Sequence, residues 1–167
     1  TNSFSYYQHR IWNISMVLEL VKEIHKILPN TAIWLGGPEV SFQSRELLGR
    51  FPQITGIMKG EGEATFLELA EHYVESAKPL EDISGITFRK VEEGKEQIVS
   101  NPWRKAMDLN RIPFVYSDLE TFENRIIYYE SSRGCPFSCS YCLSSIDKRV
   151  RFRSPEIVVK ELQFFLD

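Results

Sequence analysis

Cysteine is missing from the first 134 positions of this 167-residue chain, histidine occurs three times, and no apolar run approaches the roughly 18 to 20 residues of a membrane-spanning helix. Without cysteines spread along the chain there is no disulfide framework of the secreted kind, and no signal-peptide pattern is visible. An excess of positive charge is lacking too: at a net charge of -3 the chain offers no electrostatic case for nucleic acid as a partner. The basic run Lys148 to Arg153 reads as a solvated loop that could at best meet an acidic cofactor or substrate group. Internal repeats and low-complexity tracts are absent as well.

What remains is a globular composition, 43% hydrophobic and 26% charged, with enough length to bury the core of one ordinary domain. All three cysteines, Cys135, Cys139 and Cys142, fall within eight residues as Cys-x3-Cys-x2-Cys. Three soft thiolates so spaced suit a soft metal centre. An iron–sulfur cluster normally takes four ligands, so one iron would stay open to bind a substrate or cofactor directly. Zinc competes, since sites of three cysteines and one histidine are common, but His9, His25 and His72 lie far back in the chain. Inert thiols are the third reading. Reduced, clustered cysteines suit the cytoplasm.

In the N-terminal half, Ile14, Val17, Leu18, Val21, Ile24 and Leu28 recur at three- and four-residue spacing and predict an amphipathic helix. A short apolar strand, Ala32 to Leu35, runs into Gly36-Gly37-Pro38-Glu39-Val40-Ser41. A helix around Arg45 to Phe51 follows, then a strand near Thr55 to Lys59 that runs into Gly60-Glu61-Gly62-Glu63. The next helix is expected to bury Phe66, Leu67, Ala70, Tyr73 and Val74. This order is that of an α/β fold with a doubly wound parallel sheet, whose ligands sit at the C-terminal ends of the strands, where both glycine-rich loops fall. Glycine there lets the backbone approach a bulky ligand and frees main-chain N–H groups to point at it. Each loop alone reads equally well as a turn or a helix cap.

Residues 81–124 read as a linker: a β-hairpin, Ile83 to Val91 and Gln97 to Val99 around Glu92-Glu93-Gly94-Lys95, then an extended connector in which Trp103, Phe114 and Tyr116 dock hydrophobically. Arg125 to Ser131 reads as a buried strand, and Ser154-Pro155-Glu156 as a helix start with Ser154 at the N-cap. Strand, cysteine loop and helix would make one β/α unit with its chemistry at the strand's C-terminal end.

The segment YYESSRGCPFSCSYC resembles the radical S-adenosylmethionine (SAM) signature. The resemblance implies a 4Fe-4S cluster on Cys135, Cys139 and Cys142, with SAM chelating the fourth iron and Tyr141 lying against its adenine. In that family an electron from the cluster cleaves SAM to methionine and a 5'-deoxyadenosyl radical. The series SFSYYQHRIWNIS, WLGGPEVS and IMKGEGEATFLEL is similar to the C-terminal half of the cobalamin-binding domain of B12-dependent radical SAM enzymes. It implies that Gly36, Gly37, Pro38, Glu39 and Val40, with Gly60, Glu61, Gly62 and Glu63, border cobalamin. The Asp-x-His-x-x-Gly segment usual in that domain is absent, and His9, followed by Arg10, Ile11 and Trp12, does not replace it.

The resemblance divides the chain into the C-terminal part of a cobalamin-binding domain (1–80), the linker (81–124) and the start of a radical SAM barrel (125–167), that is, a fragment expected to be inactive alone. The whole protein would be an oxidoreductase or methyltransferase of the cyclase or methyltransferase kind. Its partners would be a small-molecule substrate, such as a tetrapyrrole, and an electron donor such as flavodoxin or ferredoxin. The apolar side of the last helix would favour self-association of the fragment. A cobalamin-binding regulatory module without catalysis, and a zinc protein, are the readings from other classes.

Overall fold

The computed structural model describes residues 10–76, 78–140, 142 and 148–166. They form two compact units, Arg10–Ala106 and a second that contains the described residues from Met107 onward.

In the first unit, helix α1 (Arg10–Ile27) leads to strand β1 (Trp34–Gly36), the short helices α2 (Pro38–Ser41) and α3 (Ser44–Arg50), strand β2 (Gly56–Met58) and helix α4 (Glu63–Glu75). A single 3-10 turn, Leu80–Asp82, then enters the hairpin β3 (Ile86–Glu92) and β4 (Lys95–Ser100). The four strands lie in chain order. β1 and β2 are parallel, with Leu35 opposite Ile57, whereas β3 is antiparallel to both β2 and β4. The sheet is therefore mixed, and the hairpin continues it.

Strand alternation sorts the core onto two faces. Ile57 packs with Val21, Val40, Leu48 and Ile54 under α1, α2 and α3. Ile86 and Phe88 pack with Ile83 and with Leu69 of α4, against Trp34 and Met58. Arg89 ties the end of α3 to the sheet, its Nη2 donating to the carbonyls of Leu48 (2.6 Å) and Phe51 (3.3 Å).

The face that α4 covers differs from the apolar stripe in the sequence. Thr65 and Leu69 are buried, while Phe66 is 64% and Val74 82% exposed, and Leu67 and Tyr73 also face outward. The helix is turned by polar attachments. The Thr65 hydroxyl donates to the Ser84 carbonyl (3.4 Å), and Arg104 reaches both Thr65 Oγ1 (2.9 Å) and the Glu68 carboxylate (2.5 Å).

The second unit holds 3-10 turns at Leu109–Arg111 and Glu120–Phe122, a two-residue antiparallel pair, β5 (Ser132–Arg133) with β6 (Arg151–Phe152), and helix α5 (Pro155–Phe164). No strand forms over Arg125–Ser131. Ile126 is 81% exposed, and Tyr128 is exposed too. A strand needs a neighbouring ladder to satisfy its N–H and C=O groups, and among the described residues none lies beside this run. Ser154 stands at the N-cap of α5 without a capping side-chain bond; its N–H donates to Asn110 Oδ1 (2.7 Å), and Pro155 opens the helix. Phe114 and Tyr116 dock against Phe165 of the same unit, with ring centroids at 5.6 and 5.1 Å. Below them, Glu161 receives Arg153 Nη2 at 2.7 Å and the Tyr129 hydroxyl at 2.6 Å.

Candidate functional site

Because β1 and β2 are parallel neighbours, the two glycine loops leave the same edge of the sheet. Gly37 has φ 105 and Gly60 has φ 75, backbone values that a side chain would strain. Pro38 starts α2 directly after Gly37, and Glu39 lies in its first turn. Val40 turns into the core. Gly62 precedes α4, which begins at Glu63, and accepts the first helical bond from the Phe66 N–H at 2.6 Å.

Ser41 joins the two loops. Its hydroxyl donates to the Gly37 carbonyl (2.7 Å) and accepts from the Gly60 N–H (3.1 Å), in a side chain only 2% exposed. The sequence contained a weak sign of this, a serine closing the GGPEVS run, but the partner sits 19 positions away and only the parallel pairing brings it there. Lys59 was likewise not legible as a site residue. It precedes Gly60 at the end of β2 and is 4% exposed; burial first, and the charge of Arg45 second, lower its pKa from the ordinary lysine value. Trp103 lies over it, the ammonium 5.3 Å from the ring centroid.

The cysteines occupy the connection between β5 and β6, in the second unit. All three are half-buried, none forms a disulfide, and the Cys142 N–H donates to the Cys139 carbonyl at 3.1 Å. Gly134 at φ 113 opens the loop where a Cβ would strike the Arg149 carbonyl, so glycine is required there on two counts. Among the described residues no three histidine, cysteine, aspartate or glutamate side chains stand close enough to hold a metal ion. Tyr141 lies outside the described residues. The donor type, three thiols on one loop, is the one an iron–sulfur cluster takes.

Residues 7–70 match the B12 binding domain family. The chain is 30% identical over 152 residues to the anaerobic magnesium-protoporphyrin IX monomethyl ester cyclase of a Synechocystis species, which covers 88% of this chain and 30% of that protein. It is 32% identical over 155 residues to an uncharacterized methyltransferase of Pyrococcus horikoshii, covering 87% of this chain and 32% of that one. The chain thus spans about a third of the length of the curated relatives it matches. Among solved structures it is similar to the cobalamin-dependent S-adenosylmethionine radical enzyme OxsB with aqua-cobalamin bound, at a TM-score of 0.63 and 22% identity over 93% of this chain and 21% of the other. That likeness is one of fold.

Proposed function

We propose that this chain is part of a B12-binding-domain radical SAM protein, and that it holds cobalamin at the glycine-loop edge of its first unit and a 4Fe-4S cluster with SAM at its cysteine loop. Gly36, Gly37, Pro38, Glu39 and Val40, together with Gly60, Glu61, Gly62 and Glu63, form the border of the cobalamin site, and Ser41 fixes the spacing of the two loops. Cys135, Cys139 and Cys142 are the cluster ligands, and Tyr141 is the residue beside SAM. The observation that carries the reading is the shared edge. Two glycine-rich turns of positive φ, tied by one buried hydroxyl, lie within the residues that match the B12 binding domain.

When bound, these groups supply reductive cleavage of SAM, fed by a one-electron donor such as flavodoxin or ferredoxin, and either methyl transfer or oxidative ring closure on a small molecule, a tetrapyrrole in the second case. The chain's own part is positional. The glycine loops would let a flat macrocycle approach the backbone where side chains would block it, and the three thiols would hold a cluster with one iron left open.

Anaerobic reconstitution with iron and sulfide, followed by visible absorption, tests the cluster. A brown chromophore lost in Cys139→Ala is the expected result, and stoichiometric zinc without that chromophore would falsify it. Retention of added cobalamin after gel filtration, read by its corrin absorbance and lost in Ser41→Ala, tests the other site.

A further inference from the structure

Beside Ser41 the first unit opens into a cleft of about 390 Å³, lined by Phe42, Ser44, Arg45, Lys59, Ser100 and Trp103 among others. Its charge is unusual. A buried ammonium normally has a carboxylate partner, yet the Lys59 Nζ donates only to neutral acceptors, the Asn101 carbonyl (2.7 Å) and Ser100 Oγ (3.0 Å). Arg45, exposed on α3, donates to the Ile98 carbonyl at 3.0 Å. Among the described residues neither cation pairs with a carboxylate. Glu46 also lines the cleft, but its carboxylate lies 3.9 Å from Arg50.

Burial first, and the like charge of Arg45 second, lower the pKa of Lys59, so an anion in the cleft would relieve both costs. Hydroxyls complete the wall. Ser100 Oγ is held 3.0 Å from Thr87 Oγ1, which is 2.9 Å from Ser44 Oγ, so two serines line the cleft on a fixed chain of hydrogen bonds. On the cleft's border the half-exposed rings of Phe42 and Trp103 stand 5.5 Å apart.

The geometry points to this cleft as a binding site for an oxyanion of the phosphate class, with Arg45 and Lys59 supplying the charge and the serine hydroxyl at one end of that chain a further hydrogen bond. A tetrahedral anion matches such a set, since it can accept from several directions at once while it neutralises two cations. The site is additional to the cobalamin reading. It uses Arg45, Lys59, Ser44 and Ser100, none of which that reading assigns.

Thermal unfolding of the whole chain in inorganic phosphate, against chloride at matched ionic strength, reads the site. Phosphate should raise Tm saturably. Arg45→Gln, a change at an exposed position that leaves the core untouched, should weaken the apparent affinity about ten-fold, the loss of one charge-assisted contact. Lys59→Met, checked for folding by circular dichroism, should weaken it further. No gain over chloride, or an Arg45→Gln protein that responds as the parent does, overturns the proposal. Phenyl phosphate separates the two sources of the group. Tighter binding than phosphate, with the advantage lost in Trp103→Leu, assigns a phosphoryl group carried on a planar molecule; equal binding assigns the free ion. Corrin absorbance recorded on the same samples reports cobalamin separately, so failure of one reading is distinguishable from failure of the other.

Discussion

Gly56 is a glycine for lack of room. A Cβ there would run into the six-membered ring of Trp34, which is fixed in turn because its indole N–H donates to the Tyr73 hydroxyl at 2.9 Å. Gly56→Ala should therefore cost about 1 to 3 kcal/mol, the usual penalty of overpacking, read as a lower urea midpoint with an unchanged slope. Tyr129 carries a different kind of residue-level prediction. Burial first, and the Glu161 carboxylate that accepts a hydrogen bond from its hydroxyl at 2.6 Å second, push its pKa up from 10.0 to about 12. The folded state thus holds this proton to higher pH than the unfolded chain does. The stability it contributes is fully present below pH 10.0 and is lost as pH rises through about 12. Across that window Tm should fall more steeply in the parent than in Tyr129→Phe.

At the scale of elements, the hairpin shows how local sequence sets register. Glu92 pairs with Lys95 across a two-residue turn in which Glu93 has φ 51 and Gly94 φ 74, the doubly positive geometry that matches strand twist. Nothing crowds a Cβ at Gly94, so Gly94→Ala isolates the backbone term that Gly56→Ala does not. We expect a loss of about 1 to 2 kcal/mol in chemical denaturation, with the fold retained by circular dichroism. Helix α4 shows the opposite case. Its existence was legible from spacing, but its buried face was not, because Arg104, 36 positions beyond Glu68, decides which side meets the sheet.

For the whole molecule, the two units differ in what holds them. Among the described residues the buried hydrophobic side chains lie in Arg10–Ala106 except for Leu109. The second unit relies instead on edge-to-face aromatic contacts around Phe114, Tyr116 and Phe165 and on the Arg153–Glu161–Tyr129 network. Hydrogen exchange should accordingly show the slowest amides in β2 and β3 and faster exchange from Met107 onward. If the cysteine loop takes a cluster, loading it should slow exchange in the second unit, because ligand binding stabilises the state that holds it. Equal protection of the two units would contradict this picture of the packing.

The sequence by itself determined whatever depends on neighbours in the chain. Helices α1, α3 and α4, the short strands β1 and β2, the glycine loops behind them, the hairpin turn and the grouping of Cys135, Cys139 and Cys142 all follow from spacing and turn chemistry, whereas α2 read only as part of a loop. Tertiary structure decided what depends on distant partners. Among the described residues it left Arg125–Ser131 without a ladder, although its residues favour a strand, because pairing belongs to two strands and not to one. It turned α4 through polar attachments that no apolar pattern encodes, and it set Ser41 between Gly37 and Gly60. It also gathered Arg45, Lys59 and Ser100 into one cleft. Hydrophobic periodicity is written along the chain, whereas a hydrogen bond or a shared charge exists only once the sheet has brought its ends together.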